Sequence, residues 1–143
     1  MKKFRFDLER VREWRGQQAQ LEELKFERVN AERVAVEAEH RKIRASRDEA
    51  GRAILGQAAA KAQELAALDA YIRYTWSEEA RLAKRLADCE KRVSEQRAAV
   101  MEAQRRLKLL ERLRERRLAA WEAGLAREEE IQAGELFLAR LGR

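Results

Sequence analysis

The strongest constraint on this chain is a repeat that never slips. Leu65, Leu68, Ile72, Thr75, Glu79, Leu82, Leu86, Cys89, Val93, Gln96, Val100, Ala103, Leu107 and Leu110 follow one another in alternating steps of three and four residues. An average step of 3.5 residues is the period of a coiled coil, which keeps one mostly apolar stripe turned toward a partner helix. The chain upstream can supply that partner for only part of the seam. The remainder is a bare amphipathic helix, and a bare apolar stripe implies docking on something else. The pattern is that of a stalk and not of an enzyme.

Composition agrees with long, thin helices. The 143 residues include no proline, the commonest helix breaker. Charged residues make up 41%, against about 25% in ordinary globular domains, and aromatics only 6%, so a thick multilayer core is not expected. Alanine, leucine, glutamate and arginine dominate, all strong helix formers. The net charge of +6 comes from 32 basic residues interleaved with 26 acidic ones. Interleaving of this kind reads as ion-paired coiled-coil flanks and not as a nucleic-acid footprint. Cys89 lies on the apolar seam as a small core residue, and a lone cysteine fits a reducing, cytosolic compartment. The start, Met1-Lys2-Lys3-Phe4, leads into Arg5, Asp7 and Glu9 without an apolar run. Nothing approaches the roughly 20 apolar residues that span a bilayer. The expectation is a cytoplasmic chain.

Upstream of the seam, Phe4, Leu8, Val11 and Trp14 open a first arm that continues through Leu21 and Leu24. The pattern then changes phase to Phe26, Val29, Val36 and Ile43, as a stutter would. Gly16 reads as a tolerated surface glycine. Ser46-Arg47-Asp48-Glu49 has the form of a capping box, and Gly51 and Gly56 follow it. These signals predict an all-α fold, a single coiled-coil domain over 1–143. It is a long antiparallel two-helix hairpin with arm one over about 3–50, a tip at about 50–60 and arm two over about 61–141. Folding about residue 55 sets Ile43 opposite Leu68, Val36 opposite Thr75, Val29 opposite Leu82 and Phe4 opposite Leu107. About 30 residues of the second arm then protrude, roughly 45 Å at 1.5 Å per residue. They carry Leu113, Leu118, Trp121, Leu125, Ile131, Leu136 and Leu138. An isolated helix is marginal in water, so this overhang is expected to fray or dock.

Chemistry-bearing constellations are missing. Gly51 and Gly56 have P-loop spacing, but Gln57 and Ala58 stand where lysine and Ser/Thr are needed, and no strand precedes them. His40 is the single histidine, expected on the coiled-coil flank beside Val36 and Ile43, with no metal cluster around it. Paired glutamates such as Glu78-Glu79 and Glu128-Glu129-Glu130 read as solvated. No catalytic residue, cofactor or metal is expected. The basic cluster Arg105, Arg106, Lys108, Arg112, Arg114, Arg116 and Arg117 reads as helix-surface charge or as a collar that meets acidic groups on a protein partner.

The termini resemble those of the flagellar export protein FliJ family. Phe4-Arg5-Phe6-Asp7-Leu8-Glu9-Arg10-Val11 is similar to the family's opening. Leu110 to Arg117, Arg127-Glu128-Glu129-Glu130 and Glu135-Leu136 resemble its C-terminal stretch, although this chain has Gly134-Glu135 where members often show Asp-Glu. Length and the two-arm plan also match. The resemblance implies a non-enzymatic stalk of the flagellar type III export apparatus, similar to the γ-type coiled coil of rotary ATPases. Such a stalk inserts into the hexameric export ATPase, contacts the cytoplasmic domain of the membrane export gate and handles export chaperones. It would be cytoplasmic and peripheral at the inner face of the membrane, reached only through its partners, with no nucleic-acid partner. Joined to the unequal arms, this places ATPase binding at Phe4, Leu8, Val11, Arg112, Arg116, Leu118, Trp121 and Leu125. Tyr71 and Tyr74 resemble the family's aromatic patch for gate binding, although both rings could equally pack across the seam's edges. A virulence-type secretion stalk would look the same. A scaffold that dimerises through the overhang is the competing class, and a membrane-surface helix a weaker one.

Overall fold

The computed structural model describes residues 2–142. Two helices account for most of them, α1 over Glu9–Leu55 and α2 over Ala62–Leu141, and no strand occurs among the described residues. The two helices pack against each other as an all-α antiparallel hairpin of unequal arms, 47 and 80 residues long. The contacts divide it into two compact units. A turn unit covers Glu22–Val100, and a terminal unit joins Met1–Leu21 to Met101–Arg143.

In the turn unit the α2 seam lies where its spacing predicts. Leu68, Thr75, Leu82, Cys89 and Val93 are buried, and Ile72, Glu79, Leu86, Gln96 and Val100 are half-buried between them. Leu65, at the start of the repeat, is exposed. Thr75 satisfies its buried hydroxyl by donating to the Ile72 carbonyl at 2.7 Å. On α1 the facing positions are Glu22, Phe26, Val29, Arg33, Val36, His40, Ile43, Arg47, Ala50 and Ile54, again in steps of four and three and all at least half-buried. The polar members are held by partners. Gln96 donates to the Glu22 carbonyl at 3.0 Å and to its carboxylate at 2.5 Å. Glu79 accepts from Arg47 at 2.5 Å, with Arg44 at 3.5 Å and His40 at 3.9 Å. A polar residue on a seam has one satisfying register, so these pairs fix the alignment.

That register differs from the one expected. Arg92 bridges to Glu32 at 3.0 Å, and Arg97 lies over the Phe26 ring, so Val29 is level with the 92–97 stretch of α2 and not with Leu82. The reason lies at the turn. α1 runs through Gly51 and the Ser46–Glu49 sequence without a break, and the reversal occupies 56–61, later than the expected 50–60. Gly56 is the terminator. Its amide donates to the Arg52 carbonyl at 3.0 Å, and a Cβ there would sit 2.7 Å from that oxygen. Gly51 has open space around it and acts as an ordinary helical residue.

In the terminal unit Leu8, just before α1, and Arg12, Arg15 and Ala19 on it continue the seam, and α2 does so with Ala103, Leu107, Leu110 and Arg114, all at least half-buried. Val11, Trp14 and Leu21, expected in the seam, are exposed, as is Leu24 in the turn unit. The apparent stutter in arm one is therefore absent. The repeat is regular, but arginines and a small alanine occupy it, with apolar neighbours turned outward. Gly16 is half-buried, and a Cβ on it would meet Leu107 at 4.0 Å, ordinary van der Waals contact.

Candidate partner-binding surfaces

The closed end of the terminal unit is built by the segment before α1. Residues 2–6 are not helical, which corrects the expectation that Phe4 begins a helix. Extended backbone advances about 3.3 Å per residue against 1.5 Å in a helix, so a few residues reach well along α2. Phe4 meets Trp121 with ring centroids 6.1 Å apart and planes tilted by 56°, a favourable aromatic geometry. The Arg114 guanidinium lies over the Phe4 ring at 5.6 Å, and Arg117 over Phe6 at 5.6 Å. Phe6 is buried. Arg114 also approaches the Glu9 carboxylate at 3.4 Å, and Glu9 is held below the ordinary carboxylate range chiefly by its hydrogen bond from Arg12.

This geometry shortens the overhang. Phe4 packs on Trp121 where Leu107 was expected, and Leu118, Trp121 and Leu125 are half-buried and do not project without an internal partner. Every described residue from Ala126 onward is exposed. The uncovered helix thus runs from Ala126 to Leu141, roughly 24 Å at 1.5 Å per residue. It presents Ile131, Leu136, Phe137, Leu138 and Leu141, each at least 60% exposed.

Of the residues expected to bind the ATPase, Phe4, Leu8, Leu118, Trp121 and Leu125 gather at this closed end in half-buried positions. Val11 does not close the paired region. It faces solvent beside the seam. Arg112 and Arg116 are exposed. The rest of the basic cluster is partly engaged. Arg105 and Arg106 grip Glu102 and hold its carboxyl down to about 2, Arg105 contributing most. Arg114 and Arg117 belong to the aromatic cover already described.

In the turn unit Tyr71 and Tyr74 sit side by side, ring centroids 6.4 Å apart, and both are exposed. Each immediately precedes a seam residue, Ile72 or Thr75, and so flanks the core without entering it. Trp76, a third aromatic close to the tip in the sequence, belongs to a separate feature there. Trp76 and Leu55 are largely exposed and, with Ile72, Arg47 and Arg52, line a shallow hollow beside Gly56. His40, expected on the flank, occupies a seam position against Glu79. That glutamate is held below the usual carboxylate value, first by the hydrogen bond from Arg47 and then by the charges of Arg44 and His40. Among the described residues no cluster of His, Cys, Asp and Glu could hold a metal ion, and no helix is long and apolar enough to cross a membrane. No protein-family model, curated protein or solved structure matches this chain.

Proposed function

We propose that this chain is a non-enzymatic stalk of a flagellar-type III export apparatus. The terminal unit enters the central opening of the hexameric export ATPase, and the turn unit meets the cytoplasmic domain of the membrane export gate through Tyr71 and Tyr74. Export chaperones are further partners, and the stalk is cytoplasmic and peripheral to the membrane through these contacts. The observation that carries the reading is the overhang. A helix that leaves five large apolar side chains exposed beyond an aromatic-capped hairpin end is built to be covered. Burying such a stripe at about 25 cal/mol per Å² is worth several kcal/mol. The aromatic cap supplies a rigid shoulder from which the overhang extends, and exposed Arg112 and Arg116 steer an acidic rim toward it.

Truncation after Leu125 tests this directly, because it removes the overhang and leaves Phe4, Trp121 and Leu125 in place. The truncated chain should keep its thermal unfolding midpoint within a few degrees and lose stimulation of the export ATPase. Unchanged ATPase affinity would overturn the placement. Independently, the double change Tyr71→Ala and Tyr74→Ala should weaken gate binding and leave helicity intact. A collapse of helicity would make the rings structural.

A further inference from the structure

The α2 seam does not stop where α1 does. Arg114 is level with Glu9, the first residue of α1. Past it the steps of three and four run on through Arg117 and Trp121 to Gly124, Glu128, Ile131, Glu135 and Leu138. Phe6 and Phe4 of the non-helical strap cover this stretch as far as Trp121. Beside that ring lies a groove of about 1060 Å³, with Trp121, Gly124 and Leu125 as its floor, Lys2, Lys3 and Arg5 as one wall and Glu128 furthest along α2. Gly124 leaves a hole in the floor, since a Cβ there would have no neighbour within 4 Å. A coiled-coil partner fills such a hole with a large side chain. The wall carries uncompensated charge. Lys2, Lys3 and Arg5 are exposed, and none has an ion-pair partner among the described residues, whereas nearby Arg114 and Arg117 reach Glu9 and Asp7. Against these three cations the groove holds one carboxylate, Glu128, so its complement is acidic.

Resting on the export reading, we infer that the groove seats a helix of the export ATPase that takes α1's place on the α2 seam, acidic where it abuts the strap and carrying a bulky apolar side chain over Gly124. A helix fits better than a loop, because the floor keeps the repeat of a coiled coil and α2 stays unbroken to Leu141. Carboxylates on such a helix meet Lys2, Lys3 and Arg5 as charge-assisted pairs. Glu128 and Glu135 on the seam set its direction, since its acidic end is favoured at the strap and repelled further along α2. The strap thereby has two roles, covering Trp121 with its rings and recognising the partner with its cations.

Affinity of the chain for the isolated export ATPase, measured at low and high salt, tests this. The combined change Lys2→Glu, Lys3→Glu and Arg5→Glu should weaken binding about 30-fold or more at low salt and less at high salt. Gly124→Leu should weaken it about 10-fold at either salt by filling the hole, and Gly124→Ala by less. Circular dichroism should stay unchanged, because the site has open space and both replacements are better helix formers than glycine. Truncation after Leu125 separates the seated helix from the export reading beneath it. If truncation abolishes binding while the strap reversal or Gly124→Leu leaves affinity unchanged, the export reading stands and the seated helix is overturned. If the chain does not bind the ATPase, or neither truncation nor any variant alters affinity, both fall. Self-association of the chain alone that Gly124→Leu abolishes, read by sedimentation velocity, would give the groove to a second copy and overturn the seated helix as well.

Discussion

The turn unit and the terminal unit are built from the same two helices and the same repeat, yet their flanks differ. In the turn unit the positions just before the seam carry Glu32 against Arg92 and Glu39 against Arg85, charged pairs that close the flank with solvated groups. In the terminal unit the equivalent positions carry Val11, Gln18, Arg106 and Leu113, so apolar side chains stand among polar ones, and Trp14, Leu21 and Leu109 are exposed beside them. The cores differ in the opposite sense. Val36, Thr75 and Cys89 are fully buried in the turn unit, whereas no described residue of the terminal unit is buried to that degree. Both units carry charged residues on the seam and exposed apolar residues beside it, but only the turn unit encloses side chains completely between the helices. Stability is therefore unevenly spread along one coiled coil.

The largest break in this comparison should come from Val36→Asp. An unpaired charge in a fully buried seam position costs about 3–5 kcal/mol, enough to unfold much of the turn unit, as circular dichroism melting would report. Trp14→Ala, although a larger truncation, should change stability by no more than about 0.5 kcal/mol, because nearly half of that side chain is in water. Equal losses from the two changes would erase the distinction between the units.

Acid should act through the carboxylates that hold the seam. Glu79 and Glu22 have folded values below the ordinary one, Glu79 chiefly through Arg47 and Glu22 chiefly through Gln96. A depressed folded value means stability that is present above the unfolded value of about 4.5 and lost as pH falls through the folded one. The melting temperature should therefore decline progressively below pH 4.5. Glu79→Gln should flatten that decline, and an unaltered acid limb in this variant would remove Glu79 from the account.

A smaller effect is expected at the aromatic cap. Phe4→Ala removes the Trp121 ring contact and the stacking partner of Arg114, together about 1–2 kcal/mol of local stability. Hydrogen exchange should quicken around 118–125 and stay slow around 82–93. Smallest of all, Gly16→Ala should stabilise by about 0.5–1 kcal/mol through helix propensity, because the added methyl meets Leu107 at ordinary contact distance. A loss of stability there would mean the two helices lie closer than described.

The second arm was legible in the sequence because its seam from Leu68 to Leu110 is mostly apolar, interrupted only by Thr75, Glu79 and Gln96. The first arm was not, and the reason is physical. Arg12, Arg15, Glu22, Arg33, His40 and Arg47 occupy its seam, with long side chains that pack their stems inward and carry their polar ends to the edge. Hydrophobic periodicity cannot detect such positions, and the outward Val11, Trp14, Leu21 and Leu24 supplied a false phase. The late turn followed from the same difficulty, since Gly51 and Gly56 look alike as letters and only Gly56 approaches a carbonyl too closely for a side chain. Of the candidate surfaces, the unequal arms were readable from the seam alone. The cover of Trp121 by Phe4 was not, because it depends on a non-helical segment whose reach along α2 no repeat encodes.

Register is the claim from which the short overhang and the aromatic cap both follow. Two spin-label pairs sharing position 28, one with 95 and one with 83, measure it within the turn unit. Antiparallel axes about 10 Å apart and a rise of 1.5 Å per residue should make the 28–95 distance shorter than 28–83 by roughly 8–10 Å. The reverse order, with position 28 nearer to 83, would restore a turn near residue 55 and contradict the account.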